Sequence, residues 1–288
     1  TSAMAPLLLN AVYLFVVVLA TLYGGELVWR ERQLKLDQIQ DSMPVPAWVG
    51  FSGKLFGVFM AIALLLVVAT GGAMIMQLAQ GYARLQPLLY LEIFVLITLP
   101  TALAVIALAM GIHAIVNQKF VGHLIVIAYW VLLQVLSTLG IDHRLYQVGR
   151  PPDYVYSDMA AWGPYMTRIL TVQAYTVTAC LALAAVGYLF LVRGTVGNWS
   201  ARRTSAAMRW RSGTAATIGA FAAIALVLGG FFFYNANILN AYTEVHVAER
   251  RVKAWELAYK KLDSLPQPRL ISVSLKHDFF PERRAAAW

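Results

Sequence analysis

Apolar positions in this chain fall in long unbroken runs, separated by short polar links, rather than at the period of a half-buried helix or strand. A run of about 18 residues or more is long enough to cross a bilayer as a helix. Six such runs predict transmembrane helices at about 5–23, 55–78, 88–112, 121–139, 169–192 and 215–234. The first and second are joined by a charged segment, GELVWRERQLKLDQIQDSMPVPAW, that closes on Pro44 and Pro46. Brief links, AQGYARLQP and HAIVNQKF, follow the second and third. The loop from Gly140 to Gly163 carries Pro151 and Pro152, and a basic loop, RGTVGNWSARRTSAAMRWRSG, precedes the sixth.

Past the sixth run the period changes. Over 237–264, Val245, Ala248, Val252, Trp255, Tyr259 and Leu262 recur at helical spacing among charges, which predicts an amphipathic helix. In RLISVSLKHDFFP the alternation of Ile271, Val273, Leu275 and Phe279 predicts a half-buried strand. A lone strand cannot bury its face, so 265–288 reads as the opening of a β-rich domain. The expected fold is therefore an all-α polytopic membrane protein over 1–236, followed by that helix and the start of a β-domain.

Composition agrees with the pattern. The 288 residues are 60% hydrophobic and only 13% charged, with a mean hydropathy of +0.64, whereas soluble domains carry about a quarter charged residues. The formal charge of +9 does not point to nucleic acid, because the cations lie in short loops, where they orient spans by staying in the cytoplasm. The fifth-to-sixth loop holds Arg193, Arg202, Arg203, Arg209 and Arg211 without an acid. Alternation from there puts Arg30, Arg32, Lys35 and Lys54, and then Lys119, in the cytoplasm, and both chain ends outside. With no basic residue before Arg30, the first run lacks the basic start of a signal peptide. It reads as a span of a longer protein.

Little chemistry is visible. Cys180 stands alone in an apolar run, so no disulfide or cysteine metal site can form. His113, His123, His143, His246 and His277 are far apart in sequence, and none opens an H-E-x-x-H motif. GFSGK at 50–54 lacks the spacing of a phosphate loop, and the sequon at Asn198 lies in the most basic loop. No catalytic residue, metal ligand or cofactor site is assigned, so the chain is not expected to be an enzyme. Within the spans the candidates for polar contacts are Glu92, Gln134 and Gln173. His113 and His123 are explained by placement at the interface.

The first charged segment is the most informative. Glu26, Arg30, Glu31 and Arg32 mix signs, followed by Leu34, Leu36 and Ile39. A helix that only rests on lipid is rich in Lys and Arg, so mixed charge fits a protein partner better. GELVWRERQLKLDQIQDSMPVPAWVGFSGK resembles the coupling segment of type-2 ABC transporter permeases, with Gly25, Glu26, Arg30, Glu31, Pro44, Gly53 and Lys54 at the matching places. Where that family often has Gly and Thr after the Arg-Glu pair, this chain has Arg32, Gln33 and Leu34.

YSDM at 156–159, NILN at 237–240 and YKKLDSLPQPRLISVSLKHDFFPERR are similar to permeases fused to an extracytoplasmic zinc aminopeptidase of the aminopeptidase N (peptidase M1) family. The resemblance implies a multi-pass protein of the bacterial inner membrane. It would be a permease half coupled through 25–46 to a separate ATPase subunit that binds ATP, and completed by a second permease half. Any zinc site would lie beyond Trp288. The alternatives are an anchor for that peptidase, or a membrane sensor or scaffold.

Overall fold

Six helical segments are long and apolar enough to cross a membrane. The computed structural model describes residues 4–154, 156, 157, 159, 161–163, 165–192, 198–263, 265, 271–280 and 285–287, with the side chains of 4–11, 279 and 285–287 left aside. Arg193 of the basic loop, Asp158 of YSDM and residues 266–268 of LPQP lie outside that set. The chain divides into two units, Thr1–Glu244 and Val245–Trp288.

In the first unit α1 (Met4–Gln33) is followed by a short α2 (Asp37–Ser42) and by α3 (Ala47–Ala79). The third span is composite: α4 (Pro87–Ile93), a π-helical turn at Phe94–Thr98, and α5 (Leu99–Val116). Pro87 sits in the first turn of α4, where a missing N–H costs nothing. Pro100 accounts for the π turn. A proline inside a helix has no N–H to give and clashes with the carbonyl one turn back, and a π turn absorbs the misfit. α5 ends at Asn117, which takes the left-handed φ of 55° that Asn tolerates. Then come α6 (Lys119–Thr138), α7 (Tyr165–Phe190), α8 (Trp199–Arg209) and α9 (Ser212–Phe233), the last running into a second π turn at Tyr234–Leu239.

The composite third span is the axis of the bundle. Ala102, Ala104, Val105, Ile106, Ala107, Ala109 and Met110 are completely buried. α1 packs on α5 through Val16 and Ala20, and α3 adds Val58, Ile62 and Leu66 to the same core. α7 meets α5 at small residues, Gly111 against Ala184 and Gly187, which lets two backbones approach as membrane helices do. The far faces stay apolar yet exposed, with Leu64, Val68, Leu226 and Val227 among them. A helix apolar all round needs lipid on the side its neighbours leave open. A second cluster, Leu89, Ile93, Ile97, Trp162 and Ile169, folds the loop after α6 onto α4.

Three expectations change. α1 continues to Gln33 and α3 starts at Ala47, so the first part of the charged segment is a helical extension of the first span, and α2 lies between the two. The basic loop contains α8. In the second unit, α10 (Val245–Tyr259) forms with no residue buried, but Ile271–His277 takes no regular structure. Ile271, Val273 and Leu275 are exposed at 94%, 62% and 72%. Only β1 (Asp278–Phe280) pairs, antiparallel, with β2 (Ala285–Ala287). A two-stranded ribbon of that length offers no sheet face to cover the upstream alternation, and no β-domain stands among the described residues.

Candidate functional site

Successive spans alternate in direction, so the C-termini of α1, α5 and α7 share one end of the bundle with the N-termini of α3, α6 and α9. The last turn of any helix leaves carbonyls without a partner and carries partial negative charge. Here arginines from other elements satisfy them. Arg202 of α8, 4% exposed, donates to the carbonyls of Ala114 and Ile115 at 2.9 Å and of Phe190 at 2.7 Å. Arg209 donates to Tyr188 and Leu189 at 3.3 and 3.1 Å, and to Leu191. Arg32 reaches the carbonyl of Val192 and Oδ1 of Asn117, each at 2.8 Å. Burial, with Arg32 nearby, pulls the pKa of Arg202 below the usual arginine value, and it stays protonated at neutral pH.

Acid–base pairs complete the lacing. Lys119 meets Glu26 at 2.5 Å and Lys54 meets Glu31 at 2.6 Å, tying α1 to the first turn of α6 and to α3 about two turns in. Beneath α2 these groups enclose a cavity of about 420 Å³, walled by Trp29, Glu31, Arg32, Phe51, Lys54 and Asn117. The outer surface of the segment is different. Arg30, Leu34, Lys35 and Trp48 are exposed away from the cavity, whereas Leu36, Ile39, Met43 and Val45 are exposed on its rim. Of the four residues expected to couple to a partner, Glu26, Glu31 and Arg32 therefore hold the chain's own helices, and Arg30 alone stands on the outer surface.

The remaining sequence candidates find partners inside the protein. Glu92 accepts a hydrogen bond from Nε1 of Trp162 at 2.7 Å, which pins the loop after α6. Oε1 of Gln134 accepts from Arg150 at 3.2 Å. Gln173 donates to the carbonyl of Ile97 and to Oγ1 of Thr101, both at 2.9 Å, and so satisfies an acceptor in the π turn. His113 lies in the last turn of α5, at the end of the span where it was expected, but inside the bundle rather than on its surface. The ring is fully buried, 4.5 Å centroid to centroid from His123 and without a hydrogen-bond partner on either nitrogen. It is boxed in by Gly25 and Gly122, where side chains would collide with it.

The arginine clamp was not foreseen, because loop arginines read only as orientation signals. The available hint was Arg202 and Ala206, four apart, which form the buried face of an otherwise polar α8. Among the described residues no group of three or more His, Cys, Asp or Glu stands together to hold a metal. Together the ion pairs and carbonyl clamps fasten α1 and α8 to α3, α5, α6 and the end of α7. Comparison of the chain with family models, curated proteins and solved structures gave no match.

Proposed function

We infer that this multi-pass chain is the membrane-spanning half of an ATP-driven transporter of the ABC type. Its charged end faces the cytoplasm, a separate ATPase subunit docks around Arg30, and a second permease half completes the pathway. One observation carries the reading. The 25–46 segment presents exposed apolar side chains and two exposed cations, Arg30 and Lys35, while Glu26, Glu31 and Arg32 lace it to α3, α6 and the end of α7. Exposed apolar side chains gathered around a charge are what a protein partner covers, and a passive anchor has no use for rigid links from that surface to its own spans. ATP-driven movement of the partner would shift the 25–46 segment and rock the helices that its α1 portion is laced to. Localisation in the bacterial inner membrane follows from the same reading.

The test is co-purification of the full-length protein with an ATP-hydrolysing subunit, followed by Arg30→Glu and, separately, Ile39→Glu. Reversing Glu31 is avoided, because it would also break the pair with Lys54. Loss of the ATPase at unchanged thermal stability supports the transporter. If no ATPase accompanies the protein, or both variants retain it, the transporter reading falls and an anchor for an extracytoplasmic domain becomes the better account.

A further inference from the structure

At the opposite end of the bundle lies a second cavity, of about 720 Å³, between the loop after α6, the first turns of α7 and the last turns of α9. Its walls carry several polar and charged groups, with Asp142, Arg144, Arg150, Asp153, Arg168 and Tyr242 all contributing, while Phe231 and Phe232 face it from the end of α9. Three arginines thus meet two aspartates, and neither acid serves as a buried counter-ion. Asp142 accepts the hydroxyl of Tyr242 at 2.5 Å. Asp153 approaches Arg168 only to 3.7 Å, with its side chain 79% exposed, so water screens that pair.

Arg144 is the informative group. Its donors end on neutral acceptors, Oε1 of Gln147 at 3.1 Å and the carbonyls of Arg150, at 2.8 Å, and Pro151. Among the described residues no carboxylate lies within ion-pair distance of it. Burial brings its pKa down to about 10, which leaves it charged at neutral pH. It therefore projects a positive field from a desolvated position, where charge interactions are stronger than in water, with three of its five N–H groups already used inside the loop. Its neighbours have more donors to give. Arg150 gives one N–H to the neutral Oε1 of Gln134, and among the described residues Arg168 has only the long contact to Asp153. A guanidinium fork matches the oxygens of phosphate in pairs.

We propose that this cavity binds a phosphate-type oxyanion, with Arg150 and Arg168 as its donors and Arg144 as the fixed charge behind them. The volume exceeds that of a bare ion, and the phenylalanines give room for the apolar part of an amphiphile, so a lipid headgroup and a free phosphate are the two sources of the same chemistry. The assignment stands independently of the transporter reading.

The experiment titrates the purified full-length protein in detergent with dioctanoyl phosphatidylglycerol, inorganic phosphate or dioctanoylglycerol, and follows thermal unfolding together with native mass spectrometry. Wild-type protein is expected to retain phosphatidylglycerol and to be stabilised by it, and dioctanoylglycerol, which lacks the phosphate, to bind at least tenfold more weakly. Competition by inorganic phosphate would identify the oxyanion alone as the ligand; its failure to compete would identify the lipid headgroup. Arg150→Gln with Arg168→Gln is expected to weaken binding at least tenfold, and Arg84→Gln, an exposed arginine in the link between α3 and α4, to leave it unchanged. Equal binding of dioctanoylglycerol by the wild type overturns the proposal even if the double variant does not fold, and so does a folded double variant that binds as the wild type does.

Discussion

Gly187 of α7 and Gly111 of α5 stand so close that an ideal Cβ on Gly187 would lie 2.7 Å from the carbonyl oxygen of Gly111. The obstacle is backbone, so no side-chain rotation relieves it. Gly187→Ala is therefore expected to push the two central helices apart and to destabilise the protein by about 1–3 kcal/mol, the usual cost of overpacking. Gly213→Ala, whose Cβ would meet nothing within 4 Å, is the matched comparison. Unfolding midpoints of the two variants in the same detergent decide the matter, and equal midpoints would sink the close-packing account.

Arg202 binds carbonyls at the ends of both α5 and α7, so its removal leaves several buried acceptors unpaired at once. Hydrogen bonds to a charged group contribute about 1.5–3 kcal/mol each when they are lost singly. Arg202→Gln is expected to cost at least about 2 kcal/mol and to raise amide exchange over Trp199–Arg209. Arg203→Gln, one residue along on the exposed side of α8, is expected to do neither.

The spans were legible because a bilayer demands long apolar runs, and their ends were not, because polar residues continue a helix as readily as they leave it. Glu26 and Arg30 lie past the predicted end of the first span at about residue 23, yet within α1, and nothing local breaks the helix before Lys35 turns to positive φ. Glu92, Gln134 and Gln173 were picked out by their cost in lipid, and each has a partner the sequence could not name. Gln173 and Thr101, for example, are joined only when α7 crosses α5. Of the expected strand, Phe279 lies in β1 while Ile271–Leu275 takes no regular structure, since alternation declares a face and not the surface that covers it.

The pair between Lys119 and Glu26 lies at the rim, with side chains 22% and 37% exposed, so its worth is far below that of a buried pair. A double-mutant cycle with Glu26→Gln and Lys119→Met is expected to return a coupling of about 0.5–1 kcal/mol, falling as salt is added. A coupling that does not respond to salt would mean that the pair acts through packing instead.

Gln173→Leu keeps the volume of the side chain but removes the donor to Ile97 and Thr101. Buried acceptors without a donor cost about 1–3 kcal/mol, so this variant is expected to unfold earlier than wild type. Gln134→Leu, whose partner is an arginine at an exposed site, should shift the midpoint by much less. The comparison separates the π turn, which needs an outside donor, from an ordinary helix end.

Gly25 and Gly53 both belong to the segment that resembles a coupling loop, and the structure gives only one of them a packing reason. A Cβ on Gly25 would fall 2.6 Å from Nε2 of His113 and 2.5 Å from Cε1 of His123, whereas one on Gly53 would meet nothing within 4 Å. Gly25→Ala is therefore expected to destabilise the protein, and His123→Ala in the same chain to restore part of the loss by opening the space. Gly53 lies inside α3, where Ala is the better helix former by up to about 1 kcal/mol, so Gly53→Ala should leave stability unchanged or raise it. If that stable variant nevertheless loses its association with an ATPase, the glycine is held for a surface that approaches from outside. If it retains both stability and association, Gly53 has no part in docking, and the resemblance at that position carries no function.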